Sequence, residues 1–243
     1  MTTNKQATMD ESLPRNEVWR MFDRIAHRYD LLNRSLSMGQ DVLWRKKMKR
    51  YLPDGEGLRL LDLATGTADQ LLYLAADPRV GEGVGMDLAE KMLEVGREKI
   101  EKQNLSDRLR LETGDALDVP VEDAFADVVT ITFGIRNVIS VQEALTEIRR
   151  VLKPGGRVLI LEFSLPQNGL LRSAYLFYFR HVLPRIGGLV SGDAYAYRYL
   201  NQTVETFPYG EGFCELMRAA GFVGVQAHPL TFGIASIYQG DKE

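Results

Sequence analysis

The feature that most constrains the fold of this 243-residue chain is a regular alternation of short apolar runs and helical stretches. The apolar runs are predicted strands, at Leu58–Leu63, Gly83–Asp87, Leu109–Glu112, Ala126–Phe133 and Arg157–Phe163. The stretches between them include predicted helices, at Asp69–Ala76, Ala89–Gln103 and Val141–Leu152. Strands that alternate with helices form a parallel sheet with right-handed crossovers, so we expect a doubly wound α/β fold. Its ligand would lie at the carboxyl ends of the strands.

Further segments surround this predicted sheet. Apolar residues recur mostly with helical spacing from Glu17 to Tyr51. An aromatic-rich segment, residues 164–206, then interrupts the alternation. Two final strand-like runs, Phe222–Pro229 and Gly233–Gln239, are close enough to pair as an antiparallel hairpin. We therefore expect a mostly parallel seven-stranded sheet with N-terminal helices and a helical lid inserted before the hairpin.

Length and composition limit the classes of protein to which the chain can belong. It carries 30 Lys and Arg residues against 33 Asp and Glu, a formal net charge of −3, and 45% of it is hydrophobic. We expect one globular domain over residues 15–243, preceded by a flexible polar segment at residues 1–14. The lone Cys214 cannot form an intramolecular disulfide, and no Cys/His pair has zinc-ligand spacing. These observations favour a cytoplasmic protein without a metal.

The end of the first strand carries the strongest functional signal, Asp62-Leu63-Ala64-Thr65-Gly66-Thr67. Gly66 would let the backbone approach a ligand closely, where a Cβ would clash. The loop lacks the three glycines of a dinucleotide-binding fingerprint, which disfavours an NAD-dependent oxidoreductase. The carboxylate of Asp62 suits a cationic group better than a pyrophosphate. An ordinary strand-to-helix turn explains this loop alone equally well.

Acidic residues also follow the second and third strands. Asp87 could accept both hydroxyls of a ribose, and it could equally cap the following helix. Asp115 could accept an adenine amino group while the Ala116 N–H donates to the ring, although a turn residue is the plainer interpretation of Asp115 alone. Three acidic strand ends in order favour a nucleoside site.

Several segments together resemble the ubiquinone/menaquinone biosynthesis C-methyltransferase family. The specific segments are Tyr29-Asp30-Leu31-Leu32-Asn33-Arg34, Phe133-Gly134-Ile135-Arg136-Asn137 and His181-Val182-Leu183-Pro184-Arg185. Lys153-Pro154-Gly155-Gly156 is shared more widely among S-adenosylmethionine-dependent methyltransferases. The resemblance covers nearly the whole chain. It implies that S-adenosylmethionine methylates a ring carbon of a polyprenyl quinol, with demethylmenaquinol favoured over the benzoquinol intermediate of ubiquinone synthesis.

The resemblance also implies which residues bind the cofactor. Carried over by position, they are Thr67, Asp87, Asp115 with Ala116, and Thr132, beside Asp62 and Gly66 of the first loop. The family commonly has glycine where this chain has Ala68, and we expect the extra methyl group to be tolerated at the start of the helix.

Methylation of a ring carbon requires an electron-rich ring, which deprotonation of a quinol hydroxyl provides. Arg136, after the fourth strand, could stabilise the phenolate that develops. Tyr29 and Asp30 are candidate proton acceptors, and His181 and Tyr197 are further ones. Each has a structural alternative, and the sequence assigns no general base.

The lid segment is predicted to handle the isoprenoid tail. Leu171, Tyr175, Tyr178 and Val182 share one helical face, and nearby arginines suit a helix lying on an anionic membrane surface. A core-covering helix is an equal alternative, and a homodimer contact is another. The net charge of −3 disfavours a nucleic-acid methyltransferase, whereas a methyltransferase that acts on another small molecule and a non-catalytic cofactor-binding regulator both stay open.

Overall fold

A seven-stranded sheet forms the centre of the computed structural model, which describes residues 17–182, 185 and 194–243. The strands are β1 Leu58–Leu63, β2 Val80–Asp87, β3 Leu109–Thr113, β4 Ala126–Thr132, β5 Leu152–Phe163, β6 Val223–Leu230 and β7 Ala235–Asp241. Their order is β3-β2-β1-β4-β5-β7-β6, and β7 is antiparallel to both neighbours. The predicted mostly parallel seven-stranded sheet and its C-terminal hairpin are confirmed. The predicted flexible segment, residues 1–14, lies outside the described residues.

Helices cover both faces of this sheet. They are α1 Val18–Leu36, α2 Gln40–Lys47, α3 Asp69–Ala75, α4 Glu90–Lys102, α5 Val141–Val151, α6 Gly169–Phe177, α7 Ala194–Thr206 and α8 Glu211–Ala219. The strands β1, β4 and β5 contribute fully buried residues to two apolar clusters, one on each face. Burial on both faces explains why these strands read as continuous apolar runs in the sequence.

The beginning of β5 differs from the prediction. We expected the fifth strand to begin at Arg157, but α5 ends at Val151 and Leu152 already pairs with Ala126 of β4. The C-terminus holds this segment in place: Gly155 N donates to Lys242 O at 2.7 Å, and Lys242 N donates to Gly156 O at 2.9 Å. The pairing partners are about 90 residues apart, so local sequence patterns do not reveal them.

The N-terminal helices lie over the carboxyl ends of the strands. Helix α1 packs along α4, and the backbone N–H of Lys91 donates to Asp23 at 3.0 Å. The buried side chain of Trp44 on α2 donates through Nε1 to Thr231 Oγ1 at 2.8 Å. These contacts place both helices above the edge at which the sequence predicts a ligand.

The predicted lid contains α6, a π-helical turn at Tyr178–Val182 and α7. On the helical face predicted to handle the isoprenoid tail, Tyr175 and Tyr178 line a cavity beneath α6, whereas Leu171 is 43% exposed. Residues 183–184 and 186–193 of the lid lie outside the described residues. Among the helices that the structure describes, none has the length and apolar character needed to span a bilayer.

Candidate functional site

Two adjacent cavities open at the carboxyl ends of the strands. The first lies beside the loops after β1, β2 and β3, and the second lies between α1, α2 and α6. Phe22, Tyr29 and Phe133 line both cavities and so form their common wall. Phe133 has a φ of +56°, a conformation that is strained for an aromatic residue and is found mainly at functional sites.

The first cavity brings together most of the residues predicted to bind the cofactor. It is lined by the predicted residues Gly66, Asp87, Asp115, Ala116 and Thr132. They follow four neighbouring strands, whose parallel carboxyl ends converge at one edge of the sheet. The cavity is therefore polar along the strand ends and apolar beneath α1.

Asp87 has the geometry expected of a ribose ligand and of a loop-organising residue at once. Its Oδ2 accepts a hydrogen bond from Gly66 N at 2.8 Å, and its Oδ1 accepts one from Ala89 N at 2.9 Å. Burial raises the pKa of this carboxyl group, and the backbone donors partly oppose that rise. Each carboxylate oxygen keeps a further lone pair for a ligand hydroxyl.

The position of Gly66 in the glycine loop favours a residue without a Cβ. Gly66 has a φ of +55°, and a Cβ placed on it would lie 3.2 Å from Met92 Cε at the wall of the cavity. Ala68 also has a positive φ, of +62°, at the start of α3. The substitution of alanine for the family's glycine there is thus accommodated in a left-handed conformation. The loop fits a ligand that approaches the backbone closely, as the cofactor requires.

Two residues predicted to bind the cofactor do not line this cavity. Asp62 is 1% exposed and accepts hydrogen bonds from Thr65 Oγ1 at 2.6 Å and Thr130 Oγ1 at 2.5 Å. Burial raises the pKa of Asp62 to about 6. Thr67 is 2% exposed, and its hydroxyl donates to Asp30 Oδ1 at 2.6 Å. Both side chains support the loop from behind because they are held by partners within the protein.

Asp30, predicted as a proton acceptor, also lies outside both cavities. Its carboxylate forms an ion pair with Lys99, and Lys99 pairs with Asp69 at 2.6 Å. These contacts connect α1 to α4 and to the first turn of α3. The structure therefore gives Asp30 a role in positioning α1, and we withdraw it as a candidate for proton transfer.

The second cavity is large, mostly apolar and aromatic. Its lining includes the aromatic residues Phe22, Tyr29, Trp44, Phe133, Phe163, Tyr175, Tyr178, Phe179 and Tyr199. Two buried polar atoms of lining residues, Arg136 Nε and Tyr175 Oη, have no hydrogen-bond partner. Unpaired buried donors are costly, so each of these two atoms is expected to find an oxygen acceptor, from water or from a bound molecule.

Arg136, the predicted catalytic cation, lies in this wall and is 6% exposed. Its Nη1 donates to Glu162 Oε1 at 2.8 Å and to Phe133 O at 2.6 Å, and its guanidinium lies 5.3 Å from the centroid of the Phe163 ring. Burial raises the pKa of Glu162, and the charge of Arg136 opposes that rise. These contacts fix the guanidinium of Arg136 in place, and its Nε makes no hydrogen bond within the protein.

Tyr29 and Tyr175 are expected to be donors at neutral pH. Burial raises the pKa of both phenols above the usual value of 10.0, although the positive charge of Arg136 acts in the opposite direction on each. A phenol that stays protonated can donate a hydrogen bond to a ligand oxygen but accepts a proton poorly. Tyr29, on the wall between the cavities, is therefore a candidate for orienting a substrate.

Sequence reasoning missed two carboxylates of this site. Glu162 belongs to the apolar strand β5 and is fully buried, and a charge inside such a strand is itself a signal that a buried cation lies opposite. Asp41 is 4% exposed, lines the second cavity and accepts a hydrogen bond from Ser37 Oγ at 2.7 Å.

No cluster of three or more His, Cys, Asp or Glu side chains in the described part of the chain is arranged to hold a metal ion. Of the further proton acceptors considered, His181 contacts Phe177, with 5.2 Å between ring centroids, and does not line either cavity. The side chain of Tyr197 lies outside the described residues.

Comparisons with known proteins show the fold and the family of this chain. A solved S-adenosylmethionine-dependent methyltransferase from Thermotoga maritima has the same fold, with a TM-score of 0.64 at 20% identity over 93% of this chain and 99% of that one. The ubiquinone/menaquinone biosynthesis C-methyltransferase UbiE of Geotalea daltonii is 45% identical over 93% of this chain and 96% of its own. The demethylmenaquinone methyltransferase of Thermus thermophilus is 46% identical over 91% of this chain and 100% of its own.

The family profile gives the same result along the whole sequence. The profile of the ubiE/COQ5 methyltransferase family matches residues 8–242, which include every residue that lines the two cavities. With this match and relatives above 40% identity over most of their length, the chain belongs to the ubiE/COQ5 methyltransferase family.

Proposed function

We propose that this enzyme transfers the methyl group of S-adenosylmethionine to a ring carbon of a polyprenyl quinol, with demethylmenaquinol as the substrate. The observation that carries the proposal is the pair of cavities with a common wall. One is polar where the acidic strand ends border it, and the other is aromatic and is lined by Arg136 and Tyr175, whose Nε and hydroxyl have no hydrogen-bond partner within the protein. A methyl donor and an aromatic acceptor bound in them would meet next to Tyr29 and Phe133, which border both cavities.

In the first cavity, Asp87 would hold the ribose hydroxyls, and Asp115 with the Ala116 N–H would hold the adenine. Gly66 would admit the donor close to the backbone, and Thr132 would border it on the side of β4. S-adenosylmethionine supplies a methyl group that its positive sulfur already makes electrophilic. The protein is therefore required to bind, align and exclude water, and such positioning accounts for a large part of the rate enhancement in comparable reactions.

In the second cavity, the chain must make the ring a better nucleophile. Loss of the hydroxyl proton next to the reacting carbon leaves a phenolate whose charge is shared with that carbon. Arg136 Nε and the Tyr175 hydroxyl are the unpartnered donors that would stabilise this oxygen. After the new C–C bond forms, the hydrogen at that carbon leaves as a proton and the ring regains aromaticity. The oxygen then takes a proton back, so the net reaction releases one proton.

The hydroxyl proton needs an acceptor, and we propose Asp41. Asp41 is an acidic residue that lines the second cavity, where its carboxylate already accepts a bond from Ser37. Tyr29 and Tyr175 are unsuited because burial raises their pKa values. Glu162 is engaged by Arg136 and by Phe163 N at 2.8 Å.

The proposal extends to the setting of the reaction. Methyl transfer from a sulfonium needs no metal, and the balanced charge of the chain gives no reason to expect a nucleic-acid partner. The enzyme would work in the cytoplasm and meet its lipid-tailed substrate at a membrane surface.

The test is an assay with S-adenosylmethionine labelled in its methyl group, offered with reduced demethylmenaquinone or with the reduced benzoquinol intermediate. We expect the label in a carbon-bound methyl group of the naphthoquinol. Label in the benzoquinol alone would replace the proposed substrate, and label in neither would contradict quinol methylation.

A further inference from the structure

Four large apolar side chains that are strongly exposed belong to segments that border the second cavity. We call them the apolar lip: Met38 is 79% exposed, Leu43 59%, Leu170 81% and Phe232 80%. They come from three separate parts of the chain, namely the α1–α2 region, the start of α6 and the turn between β6 and β7. Met38 itself lines the cavity, as do Thr231 and Ile234 on either side of the Phe232 turn.

Hydrogen bonds hold these parts side by side. Thr231, next to Phe232, donates to Gln40 Oε1 at 3.2 Å, so the β6–β7 turn contacts the beginning of α2. Gln40, Leu43 and Lys47 occupy positions i, i+3 and i+7 of α2 and therefore share one face. On the other side of the turn, Ser164 Oγ donates to Gly233 O at 2.7 Å, just before the chain enters α6. The lip is thus one surface around the cavity.

Two members of the lip are held in conformations that large side chains avoid. Met38 has a φ of +52° and Phe232 a φ of +58°, where glycine or asparagine would be at ease. Each residue nevertheless directs an apolar side chain into solvent. Strain together with exposure of this kind indicates a binding surface more than a packing need.

Charge identifies the partner of this surface. The exposed Lys46 on α2 and the exposed Arg50 just beyond its end come three and seven residues after Leu43, and the exposed Arg172 follows Leu170 on α6. Apolar tips surrounded by cations bind to the boundary of an anionic lipid bilayer, with the side chains among the acyl chains and the cations among the headgroups. A protein partner would not need the tips to border the cavity.

We infer that the apolar lip inserts into an anionic lipid bilayer and places the mouth of the second cavity against it. This inference rests on the proposed function, because a lipid-tailed quinol is what would pass from the bilayer into that cavity. The lip is a different surface from the helical face that the sequence pattern predicted. Tyr175 and Tyr178 of that face line the second cavity.

Vesicle flotation with the full chain tests the inference. The double variant Leu170→Gln/Phe232→Asn removes two tips outside the cavity lining, and asparagine suits the positive φ of residue 232. Vesicles of phosphatidylglycerol and phosphatidylcholine should bind the unaltered protein, and the double variant should bind at least about ten-fold more weakly. The control Val223→Thr changes an exposed apolar residue at the far end of β6 and should bind like the unaltered protein.

The outcomes separate this inference from the proposed function. Activity of the double variant on a tail-free quinol should stay unchanged, while its KM for a vesicle-embedded quinol should rise. Equal vesicle binding by the double variant would overturn the inference. The inference would also be overturned if the double variant changed from dimer to monomer in sedimentation analysis but bound vesicles as the unaltered protein does. The lip would then be a contact between two copies of the chain. Vesicle binding without methylation of any quinol would leave the lip intact and contradict the proposed function alone.

Discussion

Arg136 Nη1 lies 2.8 Å from Glu162 Oε1, and the two side chains are 6% and 0% exposed beside the aromatic cavity. A buried ion pair of this kind contributes little net stability, because the desolvation of both charges offsets their attraction. Its value here is positional: Glu162 and Phe163 hold the guanidinium of Arg136 in the cavity wall, and its Nε has no partner within the protein.

The first prediction separates the chemical role of Arg136 from its structural role. Arg136→Ala should lower kcat about 10²- to 10³-fold, and it should also lower the free energy of unfolding by about 3–5 kcal/mol because Glu162 is left unpaired. The double variant Arg136→Met/Glu162→Gln removes both charges. It should regain most of the stability in urea denaturation and stay inactive. Recovery of kcat in the double variant would show that Arg136 acts only through folding.

A second prediction concerns the cradle at Gly66. Gly66→Ala adds a methyl group 3.2 Å from Met92 Cε at a φ of +55°, so it should weaken S-adenosylmethionine binding about ten-fold or more in calorimetry. Gly155→Ala is a matched control, since Gly155 also has a positive φ, of +75°, with open space around its Cβ. Both variants should lose about 1 kcal/mol of stability, and only the first should lose affinity.

The third prediction tests Asp41 as proton acceptor. Asp41→Asn should lower kcat about 10²-fold or more with little effect on cofactor affinity. The loss should shrink for a ring-halogenated quinol, whose hydroxyl gives up its proton more readily. Ser37→Ala removes the hydrogen-bond donor of Asp41 but leaves the carboxylate, and it serves as the control. An equal loss on both quinols would exclude proton transfer to Asp41.

Asp62 should make stability depend on pH. Its folded-state pKa of about 6 lies above the usual 3.8, so the native protein binds this proton more tightly than the unfolded chain. That contribution is complete below pH 3.8 and is lost as the pH rises through about 6. The unfolding free energy of the unaltered protein relative to Asp62→Asn should therefore fall by about 2 kcal/mol between about pH 4.5 and about pH 7.5. A constant difference would contradict the raised pKa.

The last prediction addresses Asp30, which the sequence suggested for catalysis. Because its carboxylate pairs with Lys99 outside both cavities, Asp30→Asn should leave kcat within about three-fold. The free energy of unfolding should fall by about 0.5–1 kcal/mol, as for a partly exposed ion pair. Kinetics and thermal unfolding measured on one preparation decide the matter, and a hundred-fold loss of kcat would return Asp30 to the reaction.

Local sequence patterns were sufficient for the sheet and for the residues at its edge. Apolar runs bounded by turns located the strands, and the convergence of parallel strand ends placed Gly66, Asp87 and Asp115 along one cavity. This part was predictable because strand periodicity and sheet topology determine it.

Side-chain directions were not predictable in this way. Thr67 and Asp30 are 37 residues apart, and their hydrogen bond exists only because α1 packs across the glycine loop. Glu162 and Arg136 are 26 residues apart and meet because β4 and β5 are neighbours. The charge within the apolar β5 was the one local signal of that pair, and it could have predicted a buried cation.

Helix α1 contributes Phe22 and Tyr29 to both cavities, and this shared wall has a consequence for ligand binding. A ligand in one cavity that changes the position or mobility of α1 alters the affinity of the other cavity for its ligand. Thermodynamic linkage makes this effect mutual. Methyl donor and acceptor should therefore bind cooperatively, and each should change the affinity of the protein for the other by the same factor.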